Sequence, residues 1–225
     1  MLGNLSKLTF FNKLSSEEME QVNRVAIERH YPKGATIFLE GEESDGFYIV
    51  VSGLVKIIKL HGDGREKTLD LIREGEVLGE MTIVGSNLRS ATAIVVKQTN
   101  MIVFPGKSFQ NLMADMPVLA ANIIEILSER LRSANSQIEA LSFLNARSRV
   151  IYNLIHLVRE QNTAGEGKTA IIPRLSQSEM ANLCGVSRQV VNKVLNELRL
   201  GRFIEIAQKH IQILDLDGLR KLLLM

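Results

Sequence analysis

Residues 118–144 contain no Gly and no Pro, and Pro117 stands just before them. Such a run predicts one long helix, because Pro is tolerated at a helix start and not inside it. Its apolar positions Ala120, Ile124, Leu127, Leu131, Ala134, Ile138 and Leu141 alternate steps of four and three. That spacing is the seam of a two-stranded coiled coil. Glu129, Arg130, Arg132 and Glu139 lie off the seam. The helix is therefore expected to be a dimer axis joining two halves of the chain. A core helix of a single domain is the alternative, and a seam lasting about three heptads argues against it.

The two halves differ in pattern and in charge. Residues 1–145 carry 15 Lys/Arg against 18 Asp/Glu, and residues 146–225 carry 12 against 7. An acidic front and a basic back suit a small-molecule sensor joined to a nucleic-acid reader. No apolar run reaches the ~18 residues that cross a bilayer, and the N-terminus lacks the apolar core of a signal peptide. The expectation is a cytoplasmic protein without membrane contact. One cysteine, Cys184, allows no internal disulfide and holds no zinc or iron–sulfur centre alone. The four His show no metal-ligand spacing, so no metal is expected.

Ser15 with Glu18 three positions on is a capping box, and Met19, Val22, Val25 and Ala26 follow at helical spacing. A helix is expected from residue 15 to 30, ended by Tyr31-Pro32. From Tyr31 to Phe104 the chain turns to short apolar runs, ATIFLE, FYIVVSG, LVKIIKL, KTLDLI, ATAIVV and NMIVF, with glycines mostly between them. Such runs predict strands of an antiparallel sandwich or roll, with HGDG at 61–64 as a hairpin tip. Residues 105–116 read as a short helix leading into the long one.

The stretch YPKGATIFLEGEESDGFYIVVSGLVKI resembles the opening of a cyclic-nucleotide-binding β-roll: Pro-x-Gly, Glu-Gly before an acidic turn, and a Phe-Tyr-Ile-Val strand fall at that family's spacing. Chemistry places a pocket in residues 75–95. A cyclic nucleotide presents an anionic phosphate, which wants backbone N–H groups and a guanidinium, and a ribose hydroxyl, which wants a carboxylate. Gly79, Glu80 and Met81 can form the turn, Arg89 the cation, Ser90 a donor, and Glu80 the hydroxyl acceptor. The resemblance places the family's Gly-Glu pair on Gly79 and Glu80 and its Arg-Ser pair on Arg89 and Ser90. It also places the two base-reading positions on Ala134, which has no polar group, and Asn135, which has one. The other reading of Arg89 and Glu80 is a structural ion pair in a roll whose ligand has changed or gone.

After a polar hinge at NARSR, residues 147–160 form an amphipathic helix with Val150, Ile151, Leu154, Ile155 and Val158 on its core face. Residues 161–170 read as a loop, and AIIPRL as a short strand that Pro173 confines to an edge or an end. Ser176 and Glu179 form a second capping box, Gly185 makes a turn, and Ser187 caps a second helix. Ala181, Gly185, Val186, Val191 and Val194 fit a helix-turn-helix: a small residue where the helices touch, a Gly at the turn, branched residues beneath. The second helix would show Arg188, Gln189, Asn192, Lys193 and Asn196 to the major groove, with Ser187 at its start. FIEIAQKHIQILD reads as a two-stranded wing with Gln208-Lys209 near its tip. A winged helix that binds protein instead of DNA is the alternative.

The resemblance to the Crp/Fnr family of bacterial transcription regulators covers nearly the whole chain. It implies an α+β protein: a cyclic-nucleotide-binding β-roll over 1–116, a dimerisation helix and hinge over 117–145, and a winged helix-turn-helix over 146–225. It implies a homodimer on a near-palindromic double-stranded DNA operator, RNA polymerase as partner, no required cofactor, and cyclic AMP or another cyclic nucleotide as possible effector. The family's base-contacting Arg-Glu falls on Arg188-Gln189 and its later Arg on Lys193. Arg188 suits guanine, and Gln189 suits adenine better than the cytosine an acid would read. A regulator that binds DNA constitutively, with another effector or none, stays open. An enzyme is not expected, because no nucleophile stands with a base and an orienting partner, and no P-loop is present.

Overall fold

The structure, a computed structural model, describes residues 5, 8–83, 85, 87–159 and 169–223. The chain divides into two compact units, Met1–Arg132 and Ser133–Met225.

The first unit opens with a 3-10 turn, Thr9–Phe11, and helix α1, Ser16–Val25, whose capping box forms as expected: the Ser15 hydroxyl accepts from Glu18 N and Glu18 accepts from Ser15 N. The helix stops at Val25, not at residue 30. Residues Ile27–Tyr31 instead form strand β1, antiparallel to residues 99–103. Val25 and Ala26 fit a helical face, but the next five residues gain a full ladder of backbone bonds from the sheet, and this tertiary pairing overrides the local pattern.

Strands β2 (Thr36–Phe38), β3 (Gly46–Leu60), β4 (Glu66–Ile72), β5 (Val77–Leu78) and β6 (Thr92–Pro105) complete an antiparallel sheet in the order β1-β6-β3-β4, with β2 on β6 and β5 on β3. Four of the expected short runs prove to be two long strands: FYIVVSG and LVKIIKL are both β3, and ATAIVV and NMIVF are both β6. Gly53 lies inside β3 at φ 113°, where the pairing with β6 shifts register, and a Cβ there would stand 2.3 Å from Thr99 Oγ1. A bulge needing glycine lets one strand bend through the roll where the sequence suggests a turn.

Both faces of β3 are covered from Phe47 to Val50, which explains the apolar run there. Phe47 and Ile49 point into a cluster with Phe10, Phe11, Phe104, Phe109, Leu119 and Ile123, and Tyr48 and Val50 into a second with Phe38, Val95, Met101 and Val103. Helix α2, Gly106–Asp115, leads into α3, Pro117–Phe143, the expected long helix. Leu119 and Ile123 of α3 are buried in the first cluster, and buried Asn122 donates to the Phe10 carbonyl at 2.7 Å. The seam positions Ile124, Leu131, Ile138 and Leu141 remain exposed.

In the second unit α3 gives way to α4, Ala146–Arg159, at Asn145, whose side chain accepts from Ser148 N. Val150, Ile151, Leu154, Ile155 and Val158 of α4 are buried, as expected. Strands β7 (Ala170–Pro173), β8 (Ile204–Ile206) and β9 (His210–Ile213) form a sheet in the order β7-β9-β8, with Pro173 ending an edge strand. Helices α5 (Gln177–Cys184), α6 (Arg188–Leu200) and α7 (Leu216–Leu223) complete the unit. The expected loop at 161–170 falls, through residue 168, outside the described residues. No single described helix is long and apolar enough to cross a membrane.

Candidate effector pocket and nucleic-acid interface

In the first unit the expected pocket residues converge on a short turn. Gly79 has φ 80° and opens the 3-10 turn Glu80–Thr82. The left-handed backbone angle at Gly79 favours glycine, and a Cβ there would lie 2.4 Å from Nη1 of Arg89 and displace that guanidinium. The Arg89 side chain is 1% exposed. Its Nη2 donates to Asp45 Oδ1 at 2.7 Å, and Nη1 donates to the Gly79 carbonyl at 3.3 Å and to Thr82 Oγ1 at 3.4 Å. The Phe38 ring lies 4.1 Å from the guanidinium carbon, a cation–π contact in a dry site. Arg89 Nε is buried and finds no hydrogen-bond partner among the described residues. Tyr48 donates its hydroxyl to the same Asp45 carboxylate at 2.8 Å.

Glu80 is 2% exposed. Its Oε1 lies 3.0 Å from Nε of Arg130 on α3, an ion pair without good hydrogen-bond alignment. Arg130 also donates to the Val77 carbonyl and reaches Asp70 Oδ2 at 3.5 Å. Burial pushes the Glu80 carboxyl above its ordinary range, with Arg130 opposing the shift. Arg89 and Glu80 are thus each supplied with a partner from within the chain, Asp45 for one and Arg130 for the other. The sequence reading missed both partners. Only folding brings residue 45 to 89 and residue 130 to 80, so no local spacing announces them.

Met81 and Ser90 sit at the rim. Met81 is 53% exposed, and the exposed Ser90 donates its hydroxyl to Met81 Sδ at 3.4 Å. Asn135 is exposed on the part of α3 that belongs to the second unit. Among the described residues no three His, Cys, Asp or Glu side chains group as metal ligands.

In the second unit, Ser176 and Glu179 form the second capping box at the start of α5. Gly185 closes α5 at φ 63°, and Ser187 caps α6 by accepting from Val190 N at 3.3 Å. Val191, Val194 and Leu198 of α6 are buried. Ser187, Arg188, Gln189, Lys193 and Asn196 are exposed. Asn192 is half-buried and donates to Gln177 Oε1 of α5 at 3.0 Å. Gln177 therefore joins this face, and its only sequence signal was its place after the Ser176 cap. A groove of about 540 Å³ runs beside α6, lined by Arg174, Gln177, Asn192, Asn196 and Arg199 over Met180 and Ile211.

Strands β8 and β9 form the wing, and Arg174 Nη1 donates to the Ala207 carbonyl at its tip at 3.0 Å. Helix α6 ends in a Schellman motif: Phe203 N bonds to Leu198 O and Arg202 N to Arg199 O. The left-handed residue is Arg202 at φ 58°, whereas Gly201 is helical. A Cβ on Gly201 would stand 2.8 Å from the Phe203 ring, so packing takes the glycine and leaves the strained angle to arginine.

Comparison with known proteins agrees with this geometry in both units. The cyclic nucleotide-binding domain family matches residues 28–116, and the Crp-like helix-turn-helix domain family matches residues 148–222. The chain is 35% identical to the cyclic AMP receptor protein of Thermus thermophilus, over 84% of each chain. It is 30% identical to the CRP-like cAMP-activated global transcriptional regulator of Mycobacterium tuberculosis, over 85% of each. Among solved structures, the c-di-GMP responsive global regulator CLP of Xanthomonas campestris superposes with a TM-score of 0.73 at 26% identity, covering 88% of this chain and 99% of that one. The second and third of these carry the name of global regulators.

Proposed function

Because the chain belongs to the Crp/Fnr family of DNA-binding transcription regulators, we propose that it works as an effector-gated homodimer. In this reading an anionic nucleotide enters the roll, and two α6 helices about one DNA turn apart (~34 Å) read a near-palindromic operator. The observation that carries the effector half is the state of Arg89. Its guanidinium is fully buried, but its principal partner, Asp45, has a side chain 50% exposed. A phosphate arriving at Nη2 can release Asp45 into water, so the exchange costs little on the carboxylate side. Glu80 is the acceptor for a ribose hydroxyl. Its partner Arg130 belongs to α3, so a ligand that engages Glu80 changes the partners of a long-helix side chain. A ligand shifts the protein only through such differential contacts.

The dimer half rests on α3. Ile124 and Leu131 are each 64% exposed and Ile138 is 62% exposed, at heptad spacing, and a second copy of the helix is the occupant that spacing fits. On DNA, Arg188 is assigned to guanine and Gln189 to adenine, with Ser187, Asn192, Lys193 and Asn196 beside them. Asn135 is kept as the candidate base-reading side chain in the dimer. RNA polymerase enters on family grounds alone, and the cytoplasm is the proposed location of a protein that reads DNA.

A second reading has its own support. Asp45 and Arg130 already satisfy the buried charges, so a regulator with an empty roll is physically sound. Titration calorimetry with cyclic AMP, cyclic GMP and cyclic di-GMP separates the two; the first and last are the nucleotides in the relatives' names, and cyclic GMP tests the base. Saturable heat with one nucleotide, lost in Arg89→Leu, is expected. No heat from any of them, with DNA affinity unchanged, would favour the empty roll. Sedimentation of the free protein as a single subunit, with and without duplex DNA, would end the dimer reading.

A further inference from the structure

Along one edge of α6 a carboxylate stands between two cations. Arg147, in the first turn of α4, reaches Glu197 with two prongs: Nη2 lies 2.6 Å from Oε1, and Nε lies 3.1 Å from Oε1 and 3.3 Å from Oε2. Lys193 lies one helical turn before Glu197 on α6, so the two share a face. Lys193 belongs to the reading face assigned above, and Glu197 lies at the margin of that face.

A helix seated in the major groove has a sugar–phosphate backbone along each of its edges. An acid at such an edge opposes the duplex, unless its charge is already taken up. The Arg147 and Glu197 side chains are 37% and 47% exposed. A pair this open adds little to folding stability, so stability does not account for it. The guanidinium fork grips phosphate as well as it grips a carboxylate, and both ends are open enough to exchange partners.

We propose that Glu197 is a built-in stand-in for a DNA phosphate. In the free protein it holds Arg147. On the duplex Arg147 passes to the backbone, and Glu197 is left as a local repulsion that limits sequence-independent affinity. This rests on the assignment of α6 as the reading helix and adds to it a cation from α4 and a brake from α6.

The test is fluorescence-anisotropy titration of the full-length protein with a duplex of random sequence over a range of salt. Glu197→Gln should bind about three- to tenfold more tightly. Arg147→Gln should bind more weakly, and its log–log salt slope should be smaller by about one. A pair that merely braces α4 against α6 predicts weakening in both variants. Weakening by Glu197→Gln, no change in it, or an unchanged slope in Arg147→Gln would overturn the proposal. Glu197→Ala repeats the measurement if the Gln variant unfolds. Lys193→Gln keeps the two levels apart. If it leaves affinity for random DNA unchanged, the assignment of α6 fails and this inference fails with it. If it weakens binding while Glu197→Gln does not tighten it, only this inference fails.

Discussion

The two units hold the charges of their candidate sites in opposite ways. In the roll, Arg89 and Glu80 are buried and already partnered, by Asp45 and by Arg130. On α6, Arg188, Gln189 and Lys193 stand in solvent on a helix fixed by its caps and its buried side. A buried charge can meet a ligand only by giving up a partner, so binding there is an exchange and can move what the partner is attached to. On the proposed reading, Arg188 and Gln189 meet DNA straight from solvent, and only the Arg147–Glu197 pair at the margin exchanges partners. The difference fits a division of labour between sensing and reading.

The contrast can be broken most strongly at Arg130. Arg130→Leu leaves Glu80 buried with its cation removed, and loss of one member of such a pair costs about 3–5 kcal/mol. The unfolding midpoint of the first unit should fall accordingly in a denaturant titration, and Arg130→Lys should recover part of the loss. If Arg130→Leu is as stable as the parent, the pair does not carry the burial of Glu80.

At the exposed face the expected loss is smaller and of another kind. Arg188→Ala should weaken operator binding by about 1–3 kcal/mol and relax its sequence preference. Its stability should stay within about 0.5 kcal/mol of the parent, as for a surface change that touches no packed feature. An equal loss on random DNA would show that Arg188 contacts phosphate alone.

Acidity sharpens the comparison, because the buried Glu80 and the exposed Glu197 are shifted in opposite directions, up by burial and down by the Arg147 hydrogen bond. Burial raises the Glu80 pKa above 4.5, so the folded state holds its proton more tightly than the unfolded chain. Its contribution to stability is fully present below that value and is lost as pH rises through the folded pKa. Glu80→Gln cannot ionise, so its stability relative to the parent should improve as pH rises from 4.5. A difference that stays flat with pH would mean that Glu80 is not buried in solution.

The smallest effect concerns the end of α6. Arg202→Gly relieves a left-handed arginine and should raise stability by about 0.5–1 kcal/mol, net of the freedom glycine gains in the unfolded chain. The unfolding midpoint reads this directly. A loss of stability would mean that the arginine makes a contact worth more than its strain.

What the sequence made legible follows from the range of the interactions. Both capping boxes, the hairpin tip at 61–64, the long helix and, Asn192 apart, the exposed face of α6 depend on neighbours three or four residues apart, and all of them form. Strand β1 was hidden because Val25 and Ala26 continue a helical face, while its pairing residues lie near position 100. Gly53 read as a turn because a bulge and a turn both need the same backbone freedom. At the candidate site, Gly79, Glu80 and Arg89 could be named from residue type, spacing and the family resemblance, whereas Asp45 and Arg130 could not, since their contacts exist only in the closed roll.

The bulges in β3 bear on how the roll tolerates change. Its ladder with β6 is offset between Val50 and Val55, and its ladder with β4 is offset again between Ile57 and Ile58. Each offset acts as a stop. A residue inserted or deleted in the outer hairpin near His61 would misalign the strands as far as the nearest stop, while the rows beside Tyr48 and Phe104 keep their partners. The hairpin end can therefore vary in length over generations without disturbing the floor beneath Arg89.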